Sequence, residues 1–196
     1  MTTKEMWKSI QGAVGAGVDG VPGRETAKKL MAKLGLQAPA RAALSLDSFV
    51  TGKGRGIKRI VVHCAATPEG KDFDVDDVRR WHTAPRPQGQ GWSRIGYHFI
   101  IKLDGTIQRG LAEERTGIHV RGRNTGSIAV CYIGGVDARM KAKDTRTPDQ
   151  KEAMERLVKQ LVAAYPAAEV LGHRDHLGVR KACPSFDVRA WWEAVR

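Results

Sequence analysis

The sequence predicts an α/β protein, with a mixed central β-sheet flanked by helices and a small all-helical module in front of it. Three observations carry that reading. Runs such as IKRIVVH (57–63) and SIAVCYIGG (127–135) are continuously apolar and β-branched, as strands buried on both faces are. Helical repeats of apolar residues, with capping residues at their starts, lie between those runs. An Asp-Gly pair joins two further short apolar runs, a strong signal for a two-residue hairpin.

Taken in order, residues 1–36 read as two helices. Trp7, Ile10, Ala13 and Val14 fall on one face of the first, and Ala27, Leu30, Met31 and Leu34 on one face of the second. VDGVPG (18–23) supplies the turn between them, and Gly35 a helix stop. Residues 37–56 are rich in Ala, Pro and Gly and read as a linker. The larger unit, 57–196, opens on the IKRIVVH strand. A short helix follows over 74–84, with Asp74 as N-cap and carboxylates in its first turn. IGYHFIIKLDGTIQRG is the hairpin, turning at Asp104-Gly105, and SIAVCYIGG the next buried strand. TPDQ (147–150) places Thr at the cap, Pro at the first helical position and Gln three residues after the cap, opening a helix that runs to about Tyr165. AEVLGH (168–173) is a short strand, and a last helix starts from Ser185 or Asp187.

A formal net charge of +12 predicts attraction to a polyanion, weakened by salt. Nucleic acid, anionic lipid and cell wall all qualify on charge alone, as does a merely soluble protein. No helix-turn-helix or zinc-finger spacing supports nucleic acid. Three widely spaced cysteines argue against a disulfide framework and fit a reducing compartment or a metal ligand. No apolar run approaches the roughly 20 residues of a membrane span. Glu5 and Gln11 interrupt the N-terminal stretch where a signal peptide needs basic and apolar residues.

Candidate chemistry gathers at strand ends. His63 closes the first strand of the larger unit, His173 closes the last, and Cys183 lies in the loop beyond. Two imidazoles and a thiolate make a zinc site with one position open. Each also has an ordinary reading, a hydrogen-bonded structural His or a small buried Cys. A Cys–His nucleophile pair competes, with His173 or His176 as base for Cys183. Cys64 follows His63 directly and so faces the other side of its strand, toward the core. Cys131, inside an apolar run, reads as buried.

VVHCAAT, GYHFIIKLDGTI, GIHVRGRN, SIAVCYIGG, GHRD and KACPSFD, in unbroken order from about Ile57 to the C-terminus, resemble the zinc-dependent N-acetylmuramoyl-L-alanine amidases of type 2. That family includes phage lysozymes and is related to peptidoglycan recognition proteins. The resemblance implies His63, His173 and Cys183 as zinc ligands, Tyr97 near the attacked carbonyl, and Lys181 stabilising developing negative charge. It implies His119 as a substrate-facing residue of the cleft and gives His176 no ligand role. The implied activity is that of an endolysin, cleaving the amide between N-acetylmuramic acid and L-alanine by zinc-activated water. The alternative is a non-catalytic peptidoglycan-binding protein, a class that typically lacks the cysteine ligand. SIQGAVGAGVDGVPGRETAKKL is similar, over a shorter span, to a peptidoglycan-binding module. Its lysines and arginines would suit an anionic wall or outer-membrane polymer. A monomer is expected, held in the host cytoplasm until the membrane is permeabilised.

Overall fold

The computed structural model describes residues 1–18, 24–35, 50–53 and 56–196. The turn expected over 18–23 and most of the linker expected over 37–56 therefore lie outside the described residues. The chain divides into two compact units, Met1–Ser45 and Leu46–Arg196.

In the first unit, α1 (Thr3–Val14) starts from a capping box in which Thr2 Oγ1 accepts from Glu5 N–H and Glu5 accepts from Thr2 N–H. Gly15, at φ 68°, ends it in the left-handed conformation that glycine adopts without steric cost. Its partner helix is α2 (Arg24–Lys33). The covered face of α1 differs from the expected one. Trp7, Ile10, Gln11 and Val14 are shielded while Ala13 is exposed. Gln11 takes the inner place because its amide donates to Thr26 Oγ1 on α2 at 3.2 Å, which pairs an otherwise buried polar group. Leu34, expected on the inner face of the second helix, lies beyond the end of α2 and is 61% exposed. Lys29 and Lys33 donate to the carbonyls of Gly15 and Ala13 at 2.5 and 2.7 Å. Two of this unit's cations thus neutralise the C-terminal end of α1.

The second unit is built on a five-stranded sheet of order β4-β3-β5-β1-β7, from β1 (Arg59–Cys64), β3 (Phe99–Ile101), β4 (Ile107–Arg109), β5 (Ser127–Tyr132) and β7 (Glu169–Gly172). The strands β3, β5, β1 and β7 run parallel, and β4 is antiparallel at the edge. A small parallel pair, β2 (Thr67–Pro68) and β6 (Gly135–Val136), lies apart from it. Three α-helices complete the unit among the described residues: α3 (Val75–Thr83), α4 (Pro148–Ala164) and α5 (Val188–Val195).

Alternation along the strands sorts side chains into two layers. Ile60, Val62, Phe99, Ile101, Ile128, Val130 and Tyr132 pack with Met154, Leu157 and Leu161 of α4 and Val188 of α5. On the other face Ile100, Cys131 and Ile133 pack with Val78 and Trp81 of α3. Continuous apolar runs were the sequence mark of this two-sided burial. Asp74 and Thr147 cap α3 and α4 with full capping boxes, and Asp187 rather than Ser185 caps α5. Ser185 is unsuited to that position, since its φ of 72° turns the chain two residues earlier.

The hairpin also departs from expectation. Gly105 N–H donates to Lys102 O, and Lys102 N–H to Thr106 O, so Leu103, Asp104 and Gly105 form a three-residue loop rather than a two-residue one. Gly105, at φ 77°, takes the left-handed position that closes such loops. Val50 packs against the α4-side core, and Thr51 N–H donates at 2.9 Å to the fully buried Glu113 carboxylate. Tyr165 donates to the same carboxylate at 2.6 Å.

Candidate metal centre

Parallel strands end together on one edge of a sheet, and loops leaving that edge form the usual cleft of an α/β protein. Here Val62 of β1 is level with Gly172 of β7, so His63 and His173 emerge side by side, their ring centroids 4.7 Å apart. Cys183 reaches the same point from the loop before α5, with its sulfur 3.8 Å from His63 Nδ1. One donor atom from each of His63, His173 and Cys183 lies within 4.8 Å of the others. Among the described residues this is the one His, Cys or carboxylate group with that compactness.

The two imidazoles are in the right charge state for a cation. Burial pushes His63 well below the ordinary imidazole range, and burial with the nearby Lys181 charge lowers His173 to about 4. Both rings are therefore neutral near pH 7, with lone pairs to give. The hydrogen bond shared with Cys64, together with burial, pushes the Cys183 thiol up. Ionising it calls for a compensating positive charge, which a divalent cation supplies.

His63 has a second partner behind it. Its Nε2 lies 3.0 Å from His119 Nδ1, and His119 Nε2 lies 3.0 Å from Ser127 Oγ. The hydroxyl of Ser127 has one proton and reaches the carbonyls of Arg123 and Asn124 at 3.0 and 2.8 Å. With that proton on a carbonyl, Ser127 accepts from His119 Nε2–H. His119 Nδ1 then accepts from His63 Nε2–H, which leaves the His63 Nδ1 lone pair facing Cys183. Asn124 Oδ1 accepts from the N–H groups of His119 and Val120 at 2.8 Å each, holding the loop that carries His119. Close packing adds to this. Gly96 and Gly117 leave no room for a side chain, since a Cβ on either would lie 2.2 to 2.4 Å from the carbonyl of Ile118 or Gly96.

A cavity of 620 Å³ opens beside the pair of imidazoles, lined in part by His173, His119, Trp92, Arg121, Arg180 and Lys181. Lys181 is exposed, and its charge is felt at both His63 and His173. The Tyr97 ring sits 5.1 Å from His63, and its hydroxyl meets the Cys131 thiol. Burial holds that phenol well above its ordinary range, so it stays protonated. Tyr97 is held from the other side by His82, 5.0 Å away, whose ring also stacks on Trp92 at 4.5 Å. His82 Nδ1 accepts from Gly96 N–H at 3.1 Å. His98 is fully buried, with Nδ1 accepting from Ala129 N–H and Nε2 donating to Arg115 O, each at 3.0 Å. His176 Nε2 is buried with no hydrogen-bond partner among the described residues. Sequence reasoning did not single out His82, Asn124 or Ser127, because none stands in a spacing that distinguishes it.

Burial lowers His82, like His173, to about 4. These rings and His63 take up protons in the unfolded chain near the ordinary value of 6.5, but in the fold only at much lower pH. Their contribution to stability is thus complete above pH 6.5 and is lost as pH falls toward 4. The metal-free protein should show a Tm that falls by about 5 °C or more per pH unit between roughly pH 6 and 4.5. A Tm unchanged across that range in scanning calorimetry would contradict the neutral assignment.

The chain matches the family described as N-acetylmuramoyl-L-alanine amidase over residues 53–186. It is 40% identical over 141 residues to the endolysin of Klebsiella phage KP32, covering 72% of this chain and 89% of that protein. It is 42% identical over 134 residues to the endolysin of Escherichia phage T7, covering 68% and 84%. Among solved structures, the Ph2119 endolysin from a Thermus scotoductus bacteriophage aligns with a TM-score of 0.58 at 27% identity, over 72% of this chain and 86% of that one. The amidase LysC from Clostridium intestinale aligns with a TM-score of 0.57 at 26% identity, over 72% and 83%.

Proposed function

This chain belongs to the N-acetylmuramoyl-L-alanine amidase family, and from that premise we infer a peptidoglycan hydrolase of the endolysin type that works with zinc held by His63, His173 and Cys183. The observation that carries the metal assignment is the convergence of two neutral imidazoles and one thiol at the end of β1 and β7. Such a donor set suits zinc and leaves a fourth position for water. When bound, the ion lowers the pKa of that water and polarises the amide carbonyl between N-acetylmuramic acid and L-alanine.

The protein's own groups supply the rest. Lys181 sets an ammonium beside His173, where it stabilises the negative charge that develops on the carbonyl oxygen. Tyr97, kept neutral, is a hydrogen-bond donor next to His63. His119 both lines the cavity and accepts from His63, fixing its ring and tautomer. Removing such a support typically weakens metal binding about 10–100-fold. His119→Ala should therefore lower zinc affinity by that factor in a competition titration, and Ser127→Ala by less. Unchanged affinity in His119→Ala would remove His119 from this role and leave only its place in the cavity wall.

The non-catalytic alternative is less favoured, because the full His-His-Cys set is present. On this reading the catalytic domain is 57–196, joined by the 37–56 linker to a basic 1–36 module that binds the wall or an anionic polymer on it. No helix among the described residues is long and apolar enough to cross a membrane. We assign the protein to the host cytoplasm before lysis, as a monomer with no nucleic-acid partner. Mass spectrometry of digested peptidoglycan tests the activity. New L-alanine amino termini on intact glycan strands, lost on chelation and restored by zinc, are the expected products. Cleaved glycan or cleaved cross-links would overturn the choice of bond.

A further inference from the structure

Cys64 plays no part in the metal centre as described, yet its thiol lies against one of the proposed ligands. The two cysteines are 119 positions apart in the chain, and Cys64 N–H donates to Cys183 Sγ at 3.3 Å. Cys183 Sγ also lies 3.9 Å from the Cys64 carbonyl oxygen, so its sulfur is seated against the Cys64 backbone. Ser185 Oγ stands 3.9 Å from Cys64 Sγ on one side. Gly135 closes another side so tightly that a Cβ there would lie 2.4 Å from that sulfur. Cys64 is thus held facing Cys183 with little room to turn away. The third cysteine, Cys131, is on the opposite face of the sheet, against Tyr97. Exposure separates the pair into two roles, since Cys183 is half-buried while Cys64 is only 6% exposed.

We propose that Cys64 and Cys183 are a redox pair, in which a small-molecule disulfide of the glutathione type converts the two thiols into a Cys64–Cys183 disulfide and so disables the metal site. Cys183, the less buried of the two residues, attacks the reagent disulfide as its proton leaves to solvent, forming a mixed disulfide and expelling one thiolate, which takes up a proton. Cys64 then attacks the Cys183 sulfur and expels the second. In sum, two protein thiols are oxidised to one disulfide, the reagent disulfide is reduced to two thiols, and both protons pass from the protein thiols to the products. Zinc competes with the first step because it occupies the same sulfur. Formation of the bond needs only the two thiols, whereas its effect on hydrolysis rests on the reading of Cys183 as a ligand. A reducing compartment would keep the site open, and an oxidising one would close whatever fraction has lost its metal.

The test treats the metal-free and zinc-loaded protein with oxidised glutathione and follows free thiols in denaturant together with non-reduced peptide mapping. In the metal-free protein, thiols should fall from three to one. The map should show a Cys64–Cys183 linked peptide, and zinc uptake by the oxidised protein should be lost until dithiothreitol is added. The zinc-loaded protein should react at least about tenfold more slowly. Cys64→Ala, which keeps the backbone amide, should stop at a glutathione adduct on Cys183. Three free thiols after treatment, or an adduct on Cys183 as the only product in the unaltered chain, would overturn the pair. A linked peptide with zinc uptake intact would instead overturn Cys183 as a ligand, so the two readings fail separately.

Discussion

His173→Ala should lower zinc affinity about 10³-fold and abolish hydrolysis at ordinary zinc concentrations, with the fold intact. Zinc in Cys/His sites is held by roughly 10–16 kcal/mol, so losing one of three protein donors removes about a third of that. His173 is the ligand best suited to the measurement. It is half-buried in a single 3-10 turn (His173–Asp175) after β7. His63 is a poorer choice, being only 1% exposed, ringed by Tyr97, His119 and His173, and bonded to His119. Truncating it would leave a cavity and an unpaired His119 as well as a missing donor. His176→Ala is the natural control, because it sits three residues on and belongs to no donor cluster among the described residues. A competition titration with Tm as the folding check decides the matter. If His176→Ala lost the metal and His173→Ala kept it, the ligand assignment would have to be exchanged.

Lys181→Met should reduce kcat about 10²–10³-fold while zinc binding and Tm stay unchanged. Removal of one group that stabilises an oxyanion typically has that effect. The side chain is exposed, so its loss opens no cavity and breaks no buried contact. Because the charge matters mainly as the carbonyl oxygen turns negative, the loss should appear in kcat more than in KM. Lys181→Arg should recover part of the rate by restoring the charge in a different shape. Tyr97→Phe offers a contrast, since it removes a neutral donor that now meets Cys131 and leaves the ring against His63 and His82. Its rate should fall less than that of Lys181→Met. A Lys181→Met protein with wild-type kcat on purified peptidoglycan would return this residue to the solvated surface.

The two units differ in how well local signals anticipated their structure. In the larger one, Asp74 and Thr147 act as caps because a capping box is a local interaction, complete within four residues. His63 and Cys64 face opposite layers because strand alternation is equally local. In the smaller one, the expected inner face of α1 included Ala13, whereas Gln11 is buried in its place. No periodicity of apolar residues could have shown that, because Gln11 is placed by Thr26, fifteen positions away.

The sequence by itself determined the order of the five strands of the main sheet and the helices between them, the caps that start α3 and α4, and the residue types available at the two strand ends. Its motifs also carried the resemblance to a zinc amidase family. Tertiary structure alone decided which donors meet. Parallel register sets Gly172 level with Val62 and so brings His173 to His63, while the loop before α5 returns Cys183 from 119 positions beyond Cys64. It also supplied the chain from Ser127 through His119 that orients His63, and the contact between Cys64 and Cys183. The physical reason is range. Caps and alternation are settled by neighbours a few bonds away, but a metal site is settled by distances across a sheet, and those exist only once the strands have paired.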